Sequence, residues 1–329
     1  FSFFTEASMD LAMPNAEDIL HGMVAAGFDQ VFLGIESVDP DVLKMMRKGQ
    51  NLGMSHYARV RKIQEAGLEV TGGFIVGADG EKPGVFDNLF NFIQESGIVI
   101  PMPGLLTALK DTDLYKRLKS EGRLKEESSG MNTHQLSFNF KTEMDERFLI
   151  NGYLNLLDRL FDSRNYYARC KELSAHQGKH QTTNLVDKNG FAALGRILYQ
   201  NLIVKPDLEF VKYMVSVAIK SPRDIPKAVS NAVKLHHFKT MTKGTLSVYE
   251  YQKHTETLYE HFRDKINQLV GDAKKKANRI REIEQDILGT ARERYQQLHH
   301  DFRRNAQGAL EGLIQRIEYS RQSYLQAIY

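Results

Sequence analysis

The chain has 329 residues, long enough for two or three domains, and 44 Lys and Arg stand against 41 Asp and Glu, a net charge of +3. So even a balance argues against a dedicated nucleic-acid binder, which would carry a basic patch or stripe. A single cysteine, Cys170, excludes an internal disulfide and fits a reducing, cytoplasmic setting; no apolar run approaches the ~20 residues of a membrane span, and the amino terminus does not resemble a signal peptide.

Phe1–Phe4 is a short apolar run leading into Thr5, Glu6 and Ser8, and it reads like the middle of a strand, so the chain is expected to begin inside a domain. Glu17–Ala26 has helical spacing and stops at Gly27. Val31–Ile35 is a second apolar strand ending in Glu36-Ser37, and Pro40 suits the first turn of the helix that follows. His56–Ala66 is amphipathic and halts at Gly67; Val70–Val76 is a third strand closed by Gly77. Val85–Ser96 is helical up to Gly97, and Ile98–Leu106 is strand-like. Strand, helix, glycine, strand, repeated, predicts βαβ units with right-handed crossovers and a parallel sheet buried on both faces. Open doubly wound sheets and (β/α) barrels both satisfy the pattern, and both place their chemistry at the carboxyl ends of the strands.

The pattern changes near residue 107. Asp113–Glu121 predicts a short helix, and Leu136, Phe138 and Phe140 alternate like an edge strand. Asp145–Phe161, Asn165–Leu173, Phe191–Leu202, Pro206–Ile219 and Pro222–Phe238 predict helices, with a loop over Ala175–Asn184. From about 246 to 329 Gly and Pro almost vanish. Leu258, Phe262, Ile266, Leu269 and Val270 form one stripe and Ile280, Ile283, Ile287 and Leu288 another, predicting a helical hairpin or coiled-coil arm capable of self-association. The expected organisation is a core over 1–122, a helical accessory domain over 123–240 and the arm over 241–329.

The strand ends carry the candidate chemistry: Thr5-Glu6-Ala7-Ser8, Gly34-Ile35-Glu36-Ser37, Gly72 to Gly77 and Gly104 to Thr107. A carboxylate there faces a ligand more often than bulk solvent, and glycines allow close backbone approach. Taken singly, Glu36 equally suits a helix-start neighbour or a surface ion pair, and the glycines suit tight packing and a turn. The adjacent pairs His236-His237 and His299-His300 are poor joint ligands if helical, because neighbours on a helix diverge by about 100°. Asp79-Gly80-Glu81 reads as an acidic turn, and Lys274 to Lys276 as a solvated face.

Together the phrases Phe28 to Ser37, Gln64 to Gly77, Gly104 to Leu114-Tyr115, Leu118 to Leu124, Asn132-Thr133, Leu136 to Asn139 and Asp162 to Tyr167 resemble the radical S-adenosylmethionine (radical SAM) core. More narrowly they resemble the cobalamin-binding group with a C-terminal domain of unknown function, which includes hopanoid-methylase-like proteins. The resemblance covers about residues 1–238. It implies α/β architecture: a partial radical SAM (β/α) barrel with parallel strands, then an α-helical accessory domain and a long helical arm. It implies that Glu36 and Ser37 contact the ribose or methionine part of SAM. Gly73, Ile75 and Gly77 match the G-x-I-x-G element against the adenine, Glu6 and Ser8 line the same cavity, and Leu105 packs near the adenosyl group. The implied activity is reductive SAM cleavage, hydrogen abstraction and, where cobalamin takes part, methyl transfer to a small-molecule or lipid-like substrate.

One departure is large. Such enzymes hold a [4Fe–4S] cluster through a C-x-x-x-C-x-x-C loop, and three thiolates cannot come from Cys170. Cys170 reads as a small buried hydrophobe, so no metal ligand is assigned here. The cluster loop and any cobalamin domain are expected upstream of Phe1, making the chain an N-terminally truncated enzyme. Two other readings stay open: a non-catalytic scaffold acting through the arm, and a non-radical (β/α)-barrel enzyme using Glu6 and Glu36 as an acid/base pair.

Overall fold

The computed structural model describes residues 3–45, 55–125, 127–128, 136–178 and 195–328, with the side chains of Met45 and Ile328 excepted. Phe1, Asn132-Thr133, the end of the loop expected over Ala175–Asn184 and the start of the helix expected from Phe191 lie outside them.

Four parallel strands, β1 (Phe3–Ala7), β2 (Phe28–Glu36), β3 (Glu69–Val76) and β4 (Ile100–Leu105), form one sheet in sequence order. The crossovers run through α1 (Glu17–Ala26), α2 (Pro40–Met45) with α3 (His56–Glu65), and α4 (Val85–Ser96). Placing each strand beside its predecessor is the winding of a (β/α) barrel, so the fold is α/β, a partial barrel followed by helices. Alternate strand residues share a face. Val31, Leu33 and Ile35 are fully buried, whereas Phe4 is 57% and Met102 50% exposed. The expectation of a sheet buried on both faces therefore holds for β3, while the outer strands β1 and β4 leave part of one face exposed.

Downstream come α5 (Asp113–Ser120), α6 (Glu146–Leu160), α7 (Ser163–His176), a π-helical turn (Gln200–Val204), α8 (Leu208–Lys220) and α9 (Ile225–Asn267). Aromatic residues knit them together. Tyr167 stacks on Tyr213 at 4.6 Å, and the buried Tyr166 hydroxyl donates to the Asn231 carbonyl at 3.0 Å. The edge strand expected at Leu136–Phe140 does not form among the described residues. Phe138 and Phe140 are buried against each other, and Phe140 makes a single antiparallel bridge to Leu124.

Packing divides the chain into residues 1–239 and 240–329, with α9 contributing to both. The second unit adds α10 (Ala273–Gln297) and α11 (His300–Ile328). Its core joins three helices rather than the two of a hairpin: Phe262 and Ile266 pack with Ile280, Ile283 and Ile287 and with Leu313 and Ile317. Val270, expected in the apolar stripe, is 93% exposed, because α9 ends at Asn267. Among the described residues no helix is long and apolar enough to cross a membrane.

Candidate functional site

A solvent-open cleft of about 420 Å³ lies at the carboxyl ends of β2 and β3. Glu36, Ser37, Val38 and Asp39 form one wall, Ile75 and Glu81 a second, and Val85, Asn88 and Leu89 of α4 a third.

The first wall follows from a break in the ladder. Gly34 pairs with Gly73 and Glu36 with Phe74, so Ile35 is the extra residue of a bulge. Glu36 takes a left-handed backbone, φ 66°, a conformation uncommon for a residue with a side chain and frequent at functional sites. Its carboxylate folds back over Gly34, where an added Cβ would meet Oε1 at 3.0 Å. Ser37 is 4% exposed, and its hydroxyl accepts the Asp39 N–H at 3.1 Å, fixing the entry to α2.

The second wall is the turn after β3. Gly77, at φ 101°, donates its N–H to Glu81 Oε2 at 2.8 Å. The Phe138 ring packs where a Cβ would lie, at 2.3 Å. Asp79 accepts from Arg123 at 2.7 Å and pairs with Arg117 at 2.8 Å, while the Gly80 N–H donates to Glu143 at 2.9 Å. Burial works to raise the Asp79 carboxyl, but hydrogen bonds from both arginines outweigh it and hold the group below the ordinary carboxylate range. Glu81 goes the other way. Burial pushes it up to about 7, against the amides of Gly77 and Ala78, with a small push from Asp39. Its second oxygen, Oε1, is buried without a hydrogen-bond partner among the described residues.

Of the eight candidate residues, Glu36, Ser37 and Ile75 line the cleft, and Gly77 reaches it through Glu81. Gly73 lies two residues before Ile75, with the Phe32 ring filling the space beside its Cα. Leu105 pairs with Val76 across the sheet. Ser8 caps a short 3₁₀ turn by accepting the Asp10 N–H at 3.1 Å. Glu6 stands opposite Phe32, so Glu36 lies four positions further along β2, roughly 10 Å or more. Sequence reasoning missed Glu81. The signal available was an acid four residues beyond a strand-ending glycine, the reach needed to cap that glycine's amide.

The arrangement suits the adenosyl end of SAM in its aliphatic walls, Ile75, Val85 and Leu89, and in one carboxyl oxygen without a partner among the described residues. It does not supply a cluster. Cys170 is 1% exposed, and burial pushes its thiol up to about 12, far from the thiolate that iron requires. His299, His300 and Asp301 bring ligand atoms within 4.8 Å of one another. His299 precedes α11, so the divergence expected of helical neighbours does not apply to it, but all three residues are exposed on the second unit.

A domain of unknown function, DUF4070, matches residues 112–251. An uncharacterized methyltransferase, sll1242, of Synechocystis sp. is 38% identical over 169 residues, 51% of this chain and 31% of that protein. The hopanoid C-2 methylase of Rhodopseudomonas palustris is 40% identical over 119 residues, covering 36% and 22%. The bacteriochlorophyllide d C-12(1)-methyltransferase of Chlorobaculum tepidum is 31% identical over 98 residues, covering 30% and 22%. The chain is thus similar to methyltransferases over part of its length and to a domain of unknown function over 112–251. It spans less than a third of the length of these named methyltransferases.

Proposed function

We propose that this chain forms the SAM-binding part of a radical SAM methylase, acting in the cytoplasm on a small-molecule or lipid-like substrate. The organisation proposed with it is a core over 1–122, an accessory domain over 123–240 and an arm over 241–329. The observation that carries the reading is the meeting of the Glu36-Ser37 strand end, Ile75 and the Gly77–Glu81 clamp at one cleft. Ile75, Val85 and Leu89 flank the purine and exclude water. Gly73 and Gly77 lie against the adenine, where the absence of side chains allows close approach. Glu36 and Ser37 face the ribose and methionine end, Leu105 packs beside the adenosyl group, and Glu6 and Ser8 lie further round the rim. The reaction's radical and methyl group come from SAM, a [4Fe–4S] cluster and, in this group, cobalamin, while the protein's share is orientation and dryness. No residue of this chain is assigned as a cluster ligand.

Calorimetric titration with S-adenosylhomocysteine tests the reading without any cluster. One site per chain is expected, with affinity lost in Ile75→Asp and reduced about tenfold or more in Glu36→Ala. Absence of binding, or binding indifferent to both substitutions, overturns it.

A further inference from the structure

The stretch from Arg196 to Arg223 exposes far more apolar surface than its packing requires. Leu202, Ile203, Val204, Leu208, Val215 and Ile219 are each 47–77% exposed. On α8, Phe210 and Tyr213 turn inward, 1% and 2% exposed. Leu208, Val215 and Ile219 follow at intervals of seven and four, so they share the outward face. A solvated helix face carries polar residues there. Among these positions only Lys212 does, and it pairs with Glu209 at 2.7 Å. Exposed aliphatics grouped in this way mark an interaction surface.

The rim is basic. Arg196, Lys205, Lys220 and Arg223 are all exposed. The two acids in the stretch are both held, Asp207 by Ser163 and Lys239 and Glu209 by Lys212, and Asp224, just beyond it, is exposed. We propose that this surface docks the protein onto an anionic lipid bilayer, with α8 lying in the interfacial plane. Helix length requires that orientation: 13 residues reach about 20 Å, short of the ~30 Å hydrocarbon core. Charge selects the partner. An isologous contact with a second copy would set Arg196, Lys205, Lys220 and Arg223 of both copies against each other, whereas acidic headgroups complement them. None of these residues lines the cofactor cleft, so the proposal stands apart from the SAM reading.

The chain contains no tryptophan, so Ile219→Trp introduces a sole indole reporter. With phosphatidylserine–phosphatidylcholine vesicles, the full chain is expected to co-sediment at least about tenfold more strongly than with phosphatidylcholine alone, and to release in high salt. The indole emission is expected to shift to the blue and to be quenched by lipids brominated on their chains. Leu208→Ser with Val215→Ser, both at exposed positions and checked for unchanged circular dichroism, is expected to cut vesicle binding about tenfold or more. Indifference to vesicles, sedimentation without a shift of the indole, or a concentration-dependent dimer abolished by the serine pair each overturns the proposal.

Discussion

Glu69 and Glu81 are buried alike, 7% and 8% exposed, and stand beyond opposite ends of the same strand's run of apolar residues. At the amino end of β3, Glu69 faces Lys234 at 3.0 Å and Lys227 at 3.8 Å, both from α9. At the carboxyl end, Glu81 meets backbone amides, has Asp39 for an acidic neighbour, and keeps one oxygen without a partner among the described residues. Ion pairing neutralises the first glutamate and ties a downstream helix to the sheet. The second is left able to take up a proton and lies against the cleft. Parallel α/β folds divide their labour in this way, stability at the amino ends and chemistry at the carboxyl ends.

Breaking the amino end has the largest expected effect. Lys227→Ala with Lys234→Ala leaves Glu69 buried without its cations, which costs about 3–4 kcal/mol. The midpoint of thermal unfolding of residues 1–239 should fall by roughly 10 °C, with affinity for S-adenosylhomocysteine retained well below that midpoint. The carboxyl end should respond to pH instead. Burial raises the Glu81 carboxyl from 4.5 to about 7 in the folded protein. The folded state then binds the proton more tightly than the unfolded state. The group's full contribution is present below about pH 4.5 and is lost as pH rises through about 7. The loss approaches about 3 kcal/mol. Glu81→Gln mimics the protonated form and should remove this slope, so the stabilities of variant and wild type diverge between about pH 4.5 and 7 in the variant's favour. Coincident curves from pH 4.5 to 7.5 would show that Glu81 keeps its charge. Gly77→Ala comes next. A Cβ at φ 101° and 2.3 Å from Phe138 costs about 2 kcal/mol. It should also weaken S-adenosylhomocysteine binding, since the turn it displaces holds Glu81.

Local signals made the sheet legible. The runs ending at Gly27 and Gly97 have the boundaries of α1 and α4, Glu17–Ala26 and Val85–Ser96, because a left-handed cap needs only its own residue. Glu36, Ser37 and Ile75 were legible as strand tips, since the ends of adjacent parallel strands must be neighbours. What escaped the sequence depends on distant chain. Asp79-Gly80-Glu81 is a turn, as its composition implies, but its arginines come from 38 and 44 residues downstream. Phe138 wedges against Gly77 from 61 residues downstream. Glu6 and Glu36 look equivalent as strand-end carboxylates until the pairing of Glu6 with Phe32 sets their offset. Apart from Val270, the expected apolar stripes pack together, but periodicity alone does not count helices, and the third one, α11, supplies Leu313 and Ile317.

The smallest effect separates the two carboxylates within the cleft turn itself. Arg117 is about half exposed where it meets Asp79, whereas Arg123 is 18% exposed and holds the same carboxylate with two nitrogens. Screening leaves an exposed pair worth less than about 1 kcal/mol, so Arg117→Ala should cost a few tenths and Arg123→Ala about 2. Asp79 is held below its ordinary range, so its contribution is present above about pH 4 and lost as pH falls, the reverse of Glu81. The Arg123→Ala deficit should therefore shrink below about pH 4, while the Glu81→Gln advantage grows between about pH 4.5 and 7. A deficit for Arg123→Ala that persisted undiminished at pH 3 would mean that the guanidinium supports the turn through its hydrogen bond to the Lys141 carbonyl rather than through Asp79.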